Sequence, residues 1–187
     1  MDVRMIGRDR AVLEWFYRAH LDAVENFVAR RVRDPHTAAD VTADVFLAAM
    51  TTASRYDPDR GSARAWLFGI AYRVIADTQR RAARRWRAAE RETNRRTLHD
   101  DAITRLEEQL DAASAARELR DSLGQLSRTD RALIELTALD GLSITDAASA
   151  LNLSAGAARV RLHRAKRKLR QTVECARNTV PATSRGI

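Results

Sequence analysis

Residues 143–170 constrain the fold of this 187-residue chain more than any other segment, because they fit two helices joined by a tight turn. Ser143 is a good N-cap for the first helix, with Asp146 close to the position it has in a capping box. Residues 152–154 form the turn: the asparagine tolerates a left-handed backbone conformation, and the final serine can cap the second helix. Ala148 is small enough to let the helices cross closely. The segment therefore predicts a helix-turn-helix.

The second of these helices is strongly basic. Its inward positions, at three- and four-residue steps, are Ala158, Leu162, Ala165 and Leu169. Its other faces carry Arg159, Arg161, His163, Arg164, Lys166, Arg167, Lys168 and Arg170. A helix-turn-helix places such side chains in the DNA major groove, where an arginine fork can bridge the two acceptors of guanine or clamp a phosphate. A helical hairpin with a solvated basic face is the alternative, but the caps, the turn and the small crossing residue together favour DNA binding.

The positive charge of the chain, +8 in total, is concentrated in two blocks. Residues 55–96 hold twelve arginines against five acids, and residues 155–177 hold eight basic residues against one acid. Residues 97–122, between them, hold three arginines against seven acids. This pattern indicates two contact sites on one extended polyanion, either nucleic acid or an acidic membrane surface. On charge alone, arginine-rich helices that are simply solvated explain it equally well.

Composition excludes several classes of protein. A hydrophobic content of 45% argues against global disorder, and no uncharged apolar run approaches the roughly 18 residues that span a bilayer. The amino terminus is polar where a secretory signal would be apolar, and the single Cys175 forms no intrachain disulfide. These features predict a reduced, soluble, cytoplasmic protein without membrane insertion.

The sequence contains no pattern typical of catalysis or metal binding. Its four histidines are scattered, namely His20, His36, His99 and His163. It has no glycine-rich phosphate loop and no legible Ser/His/Asp or Cys/His arrangement. We therefore expect no enzymatic activity, no cofactor and no metal site.

Helical periodicity dominates the rest of the chain, and no alternating run of β-branched residues marks a strand. The spacing predicts a helix over residues 9–33, which an Asp-Pro pair ends, and a second over residues 37–54. Ser62 can N-cap a third helix. Trp66 lies on the apolar stripe of that helix, so core packing is its favoured role. The fold class is therefore predicted as all-α.

The helices group into two small helical domains joined by a charged linker, the C-terminal one being the helix-turn-helix. We expect the first domain to span residues 1–88, by which point the third helix has become arginine-rich. Residues 89–116 could be helical in part, but their lack of strong apolar periodicity favours an acidic, flexible linker. The second domain then spans residues 117–174 and includes a helix that starts at Ser127, and residues 175–187 are expected to be a disordered tail.

Two widely separated segments resemble one family. Residues 40–47 (DVTADVFL), 61–71 (GSARAWLFGIA) and 77–81 resemble region two of bacterial extracytoplasmic-function (ECF) sigma factors. Residues 141–165 resemble region four of the same family. The resemblance implies a dissociable subunit that directs bacterial RNA polymerase to promoters. The partners it implies are core RNA polymerase, through its clamp helices and flap, promoter DNA and an anti-sigma factor.

The resemblance also implies three sets of site residues. The polymerase-docking residues would be Asp40, Asp44 and Phe46. Contacts to the single-stranded minus-ten element would come from Tyr56, Tyr72, Arg73, Arg80, Arg81 and Arg84. Contacts to the minus-thirty-five element, read as duplex in the major groove, would come from Arg159, Val160, Arg161, His163, Arg164 and Arg167.

Side-chain chemistry agrees with these assignments. Asp40 and Asp44 lie one helical turn apart and form an acidic pair suited to a basic partner helix, although a solvated face explains them equally well. Unpaired bases need stacking surfaces and a cationic track, which the aromatic and arginine residues of the minus-ten set supply. Members of the family commonly carry an aromatic residue where Ala63 stands, and Tyr56 is the candidate substitute. Val160 cannot hydrogen-bond a base edge but can pack on a thymine methyl.

Two rival functions can be weighed against this interpretation. A stand-alone helix-turn-helix regulator would dimerise and bind a palindrome without polymerase, but it leaves residues 35–96 unexplained. A membrane-surface protein with amphipathic basic helices does not explain the turn at residues 152–154. The sigma-factor interpretation accounts for both segments.

Overall fold

The computed structural model of the chain describes residues 2–93 and 123–179, with side chains described as far as residue 88 in the first part and residue 171 in the second. Most of the predicted linker and the end of the predicted tail lie outside the described residues. The described parts form six α-helices and no strand, which confirms the all-α prediction. Within these ranges, no helix is both long and apolar enough to cross a membrane.

The first two helices begin at side-chain caps. Helix α1 spans Arg10–Ala29 and helix α2 spans Pro35–Thr52. The Asp9 carboxylate accepts hydrogen bonds from two backbone N–H groups in the first turn of α1. The Asp34 carboxylate accepts one from Thr37 N–H (2.7 Å) at the start of α2. Helix α2 begins two residues earlier than predicted, because proline is favoured at the first helical position, where its missing N–H has no partner to lose.

The third helix is the longest of the first domain. Helix α3 spans Ala63–Thr93, and Ser62 Oγ accepts a hydrogen bond from Ala65 N–H (3.2 Å), as expected of its N-cap. The helix continues five residues past the boundary expected at residue 88, because neither glycine nor proline interrupts the run of arginine and alanine. The segment predicted as a linker therefore begins as helix.

The second domain contains three helices. Helix α4 spans Arg128–Ile134 and continues as a π-helical turn over Glu135–Leu139, helix α5 spans Ile144–Ala150, and helix α6 spans Ala155–Thr179. Helix α6 extends five residues into the segment predicted to be a disordered tail. It does so because no helix breaker occurs there before Pro181, and the residue before a proline disfavours helical geometry.

The helix-turn-helix has the predicted local geometry. Ser143 Oγ accepts a hydrogen bond from Asp146 N–H (3.0 Å), and Ser154 Oγ accepts one from Ala157 N–H (3.2 Å), which confirms both N-caps. Asn152 has a φ of 55°, the left-handed conformation expected at the turn. The capping and turn preferences of these residues therefore predicted the local structure of the motif correctly.

Small side chains let the helices of this motif approach closely. On α6, Ala158, Leu162 and Ala165 are buried and Leu169 is half-buried, as the inward positions require. Ala148 on α5 is 1% exposed, as expected of the crossing residue. Within residues 155–171, the lysines and arginines of α6 other than Arg161 are exposed.

The two domains share one continuous hydrophobic core. The cluster joins Phe16, Phe27 and Phe68 of the first domain to Leu133, Leu136 and Leu142 of the second. Helix α3 packs on α5 so closely that a Cβ on Gly69 would lie 2.7 Å from the carbonyl oxygen of Ala150. Only glycine permits this approach of the two backbones. We refer to this packing of the two domains as the closed arrangement.

Candidate nucleic-acid interface

The outward face of α6 combines basic and apolar side chains. Arg159, Val160, His163, Arg164 and Arg167 are exposed and line a shallow depression of about 460 Å³. They recur at one-, three- and four-residue steps, so they lie along one side of the helix and can enter one groove together. The structure thus places five of the six residues predicted for the minus-thirty-five element on one exposed face.

Arg161, the sixth residue of that set, is directed toward α4. Its Nε donates a hydrogen bond to Asp130 Oδ1 (2.9 Å), and its Nη2 donates one to Ser127 Oγ (3.3 Å). The guanidinium therefore links the recognition helix to the N-terminal cap of α4. In the closed arrangement Arg161 positions α6, and a base contact by this residue stays a prediction.

Tyr56 lies against Trp66 at the start of α3. Their ring centroids are 5.4 Å apart, and the Tyr56 hydroxyl donates a hydrogen bond to the carbonyl oxygen of Gly61 (3.2 Å). Burial raises the pKa of Tyr56 above its ordinary value, so this hydroxyl stays neutral and keeps its proton for the bond. Trp66 also meets the edge of the Phe16 ring at 6.4 Å, which confirms core packing as its role.

Tyr72 and Arg73 are neighbours on α3 with different surroundings. Arg73 is exposed. Tyr72 is half-buried, and its hydroxyl donates a long hydrogen bond (3.4 Å) to the carbonyl oxygen of Arg128, at the start of α4. Burial raises the pKa of Tyr72. In the closed arrangement the Tyr72 hydroxyl is therefore hydrogen-bonded to the second domain.

Three arginines of the minus-ten set follow one another along the exposed part of α3. Arg80, Arg81 and Arg84 are all exposed, and Arg80 pairs with Asp77 one turn earlier. The hydrogen bond from Arg80 lowers the pKa of Asp77. Helix α3 thus carries a cationic track that continues from the aromatic residues near its start.

The predicted polymerase-docking residues occupy two environments on α2. Asp40 and Asp44 are exposed and one turn apart. Phe46 is only 5% exposed and packs against Tyr17, with ring centroids 4.6 Å apart, so it supports α2 from within. Leu47, which the sequence interpretation did not include, is 57% exposed beside it and offers the apolar surface there.

A second basic cluster lies between the domains, and sequence patterns did not reveal it. Arg31 Nη2 donates to Asp140 Oδ2 (2.9 Å), and Arg31 Nε donates to Glu135 Oε2 (3.1 Å). Arg30 pairs with the other carboxylate oxygen of Asp140, and Arg64 Nη2 donates to the carbonyl oxygen of Asp140 (3.0 Å). Because Arg30 and Asp140 are 110 positions apart, no local pattern could have paired them.

A smaller polar contact joins the starts of α3 and α5. Asp146 Oδ1 accepts hydrogen bonds from Ser62 N–H (3.1 Å) and Ser62 Oγ (2.9 Å). Burial alone would raise the pKa of Asp146, but the hydrogen bonds from Ser62 and Ser143 outweigh it, so the pKa is lowered. Asp146 therefore stays ionised and contributes to the domain interface at neutral pH.

Comparison with known proteins identifies the two domains. The model of Sigma-70 region 2 matches residues 16–85, and that of Sigma-70 region 4 matches residues 116–169. RNA polymerase sigma factor CarQ of Myxococcus xanthus is 32% identical over 167 residues, covering 84% of this chain and 87% of CarQ. The ECF RNA polymerase sigma factor SigK of Mycobacterium ulcerans (strain Agy99) is 29% identical over 180 residues, covering 93% of this chain and 92% of SigK. The chain belongs to the ECF family of RNA polymerase sigma factors.

Two solved structures share the fold of the sigma factor. CnrH, in complex with the cytosolic domain of CnrY, aligns with a TM-score of 0.59 and 24% identity, over 94% of this chain and 99% of CnrH. The sigma factor RpoE of Bartonella quintana, in complex with the anti-sigma factor NepR, aligns with a TM-score of 0.57 and 21% identity, over 87% and 96% of the two chains.

Family membership confirms the function predicted from the sequence. The sigma factor binds core RNA polymerase and directs promoter-specific transcription initiation. Region 2 accounts for most of residues 35–96, which a stand-alone helix-turn-helix regulator would have left unexplained.

Proposed function

We propose that the sigma factor reads the minus-thirty-five element as duplex DNA through the outward face of α6. The observation that carries this proposal is the exposed face on which Arg159, Arg164 and Arg167 surround the uncharged Val160. Guanidinium forks recognise guanine or phosphate, and an apolar side chain recognises a thymine methyl. A helix face with both kinds of side chain suits the major groove, because guanine acceptors and thymine methyl groups are both exposed there.

The first domain engages the minus-ten element as a single strand. The ring of Tyr56, which rests against Trp66, and the exposed arginines of α3 support this, because unpaired bases stack on aromatic rings while the backbone follows a cationic groove. The Tyr72 hydroxyl loses its bond to the Arg128 carbonyl oxygen when α4 moves away and can then bond to the strand. The phosphates of the strand then contact the guanidinium groups along α3, which belong to Arg73, Arg80, Arg81 and Arg84.

The first domain also docks on the clamp helices of the polymerase through α2, while the second domain reaches the flap. The exposed pair of Asp40 and Asp44 supports this assignment, with Leu47 as an apolar neighbour. An acidic pair one turn apart complements a basic partner helix and steers association at low ionic strength. Phe46 contributes by holding α2 in place.

Run-off transcription with purified core polymerase and defined promoter templates tests the DNA assignment. In the Arg159→Ala/Arg164→Ala double variant, each lost base contact should cost about 1–3 kcal/mol of binding free energy. The transcript yield should therefore fall only on templates that carry the preferred upstream element. Arg18→Ala, on the exposed surface of α1, is the matched control. An equal loss on every template would mean that these arginines contact phosphates only.

Capture of core polymerase tests the docking assignment separately. The Asp40→Ala/Asp44→Ala variant should lose core binding at low and moderate salt while keeping its helical content, because both residues are exposed. Asp22→Ala, which removes an exposed carboxylate of α1, is the control. Unchanged core binding by the double variant would contradict the assignment.

The sigma factor contributes no catalytic group of its own, so the polymerase performs the chemistry, in the cytoplasm. An anti-sigma factor holds it inactive, as the pairing of RpoE with NepR suggests by analogy. Affinity purification of the tagged chain from its own cells should recover a small protein partner in addition to polymerase. Added to the run-off assay, that partner should suppress transcription, and a partner without this effect would contradict the proposal.

A further inference from the structure

Three arginines of the first domain converge on a single residue of the second. Arg30 and Arg31 each pair with one carboxylate oxygen of Asp140, and Arg64 donates a hydrogen bond to the backbone carbonyl oxygen of Asp140. The Asp140 side chain is fully buried beneath them, and Glu135 binds Arg31 from the side. Arg131 of the second domain also pairs with Glu135 Oε1 (2.8 Å), so the second domain brings two carboxylates and one cation to the three arginines of the first.

Contacts within the first domain already hold two of these arginines in place. The Arg31 guanidinium lies 3.6 Å above the centre of the Phe27 ring, and its Nη1 donates to the Phe27 carbonyl oxygen (2.9 Å). The Arg64 guanidinium lies 5.2 Å from the centre of the Phe68 ring. Aromatic faces favour cations, and neither of these contacts involves an atom of the second domain. The cluster is therefore organised for an anion before Asp140 arrives.

The closed arrangement cannot contact both promoter elements at once. The names minus-thirty-five and minus-ten place the two elements about 25 base pairs apart, which is about 85 Å at roughly 3.4 Å per base pair. The 25 residues of α6 span only about 37 Å, and a core shared by the two domains holds their DNA-reading faces within one compact body. The domains must separate on the promoter, and separation removes both carboxylates from the arginines.

We propose that Arg30, Arg31 and Arg64 form a phosphate-binding site for promoter DNA, which Asp140 and Glu135 occupy in the closed arrangement. Two arginines on the two oxygens of one carboxylate reproduce the way arginines bind two oxygens of a phosphate. The DNA backbone and the acidic turn of the second domain therefore compete for the same donors. This inference rests on the proposed binding of promoter DNA and adds a contact outside both recognition sets.

Binding of the free full-length chain to DNA tests the proposal with two changes of opposite sign. The probe is a fluorescent fork-junction oligonucleotide, duplex upstream and single-stranded over the minus-ten element, followed by anisotropy from 50 to 200 mM salt. Asp140→Asn/Glu135→Gln should raise affinity at least threefold, because the competing carboxylates are gone. Arg31→Ala added to that background should reverse the gain and make the salt slope shallower by about 0.7–0.9 for each lost phosphate contact.

Matched variants separate this site from a general effect of charge. Arg18→Ala in the same background removes an exposed arginine of α1 and should change affinity less than Arg31→Ala. Circular dichroism checks that each variant is folded. If Asp140→Asn lowers the helical content, Glu135→Gln alone should still give a smaller gain of the same sign.

Several results would overturn the proposal. The first is that Asp140→Asn/Glu135→Gln does not raise the affinity for DNA. The second is that Arg31→Ala in that background lowers the affinity no more than Arg18→Ala does. The third is that Asp140→Asn/Glu135→Gln raises the affinity for core polymerase but not for DNA. The last result would assign the arginines to an acidic protein surface. The proposed function fails independently, if Arg159→Ala/Arg164→Ala leaves upstream recognition in run-off transcription unchanged.

Discussion

Arg161 Nε lies 2.9 Å from Asp130 Oδ1, so one ion pair joins the recognition helix to the helix that precedes the helix-turn-helix. The two side chains are 40% and 25% exposed. At such positions an ion pair contributes at most about 1 kcal/mol, because water screens it. Its consequence is mainly geometric, since it sets how α6 lies against α4 and hence how the outward arginines meet DNA.

Substitution of Arg161 and Arg164 should therefore give different results. Arg161→Ala should lower the free energy of unfolding by up to about 1 kcal/mol and weaken binding of the minus-thirty-five element on all sequences. Arg164→Ala should leave stability within about 0.5 kcal/mol and reduce sequence discrimination. Urea denaturation and competition binding by the holoenzyme measure the two effects. If Arg161→Ala altered base preference without altering stability, a direct base contact would replace the positioning role.

The close approach of α3 and α5 predicts a packing effect at Gly69. A Cβ there would lie 2.7 Å from the Ala150 carbonyl oxygen, so Gly69→Ala should force the domains apart at a cost of about 1–3 kcal/mol. The variant should show a lower midpoint in urea and a larger radius of gyration in solution scattering. Gly124→Ala is the control, because nothing lies within 4 Å of its Cβ position. Equal midpoints for wild type and Gly69→Ala would contradict the closed arrangement in solution.

Local chemistry explains what could be predicted from the sequence. The caps at Ser62, Ser143 and Ser154 and the left-handed Asn152 depend on residues within four positions of one another, so the pattern reveals them. The same holds for the exposed basic face of α6. Regular apolar periodicity gives way to charge along α3, so the sequence predicted a domain boundary at residue 88 but no end for the helix, which continues to Thr93.

Contacts between the domains could not be predicted from the sequence. Asp140 is not among the predicted site residues, and Arg30 and Arg31, which pair with it, lie more than 100 positions earlier in the chain. Arg161 has a side chain suited to DNA and lies in sequence among the predicted DNA contacts. Its actual partner is Asp130 on α4, 31 positions earlier, which no local pattern indicates. Phe46 and Leu47 are adjacent hydrophobic residues, and only tertiary packing decides which of them is buried.

The lowered pKa of Asp146 predicts weaker domain packing in acid. The pKa of Asp146 in the folded protein lies below the value of about 3.9 that a carboxyl group has in the unfolded chain. Its contribution to stability is therefore complete above about pH 4 and is lost as the pH falls through the folded pKa. The free energy of unfolding should therefore decrease below about pH 4, and Asp146→Asn should make the decrease smaller. Asparagine keeps an oxygen that can accept the bonds from Ser62. Urea denaturation at several pH values measures this, with Asp22→Asn as the exposed control; an identical pH profile for wild type and Asp146→Asn would contradict it.

Val160 is 50% exposed among four basic side chains, which predicts an apolar contact to the DNA base edges. If it packs on a thymine methyl, replacing that thymine by uracil should cost the holoenzyme about 0.8 kcal/mol, close to a fourfold loss of affinity. Val160→Ser should bind the thymine and uracil probes nearly equally, because a polar hydroxyl group then replaces the apolar partner of the methyl group. Arg164→Ala should weaken binding to both probes and keep their ratio. Scanning thymine-to-uracil replacements through the upstream element locates the position, and equal affinity of the wild-type holoenzyme for every probe would show that Val160 reads no methyl group.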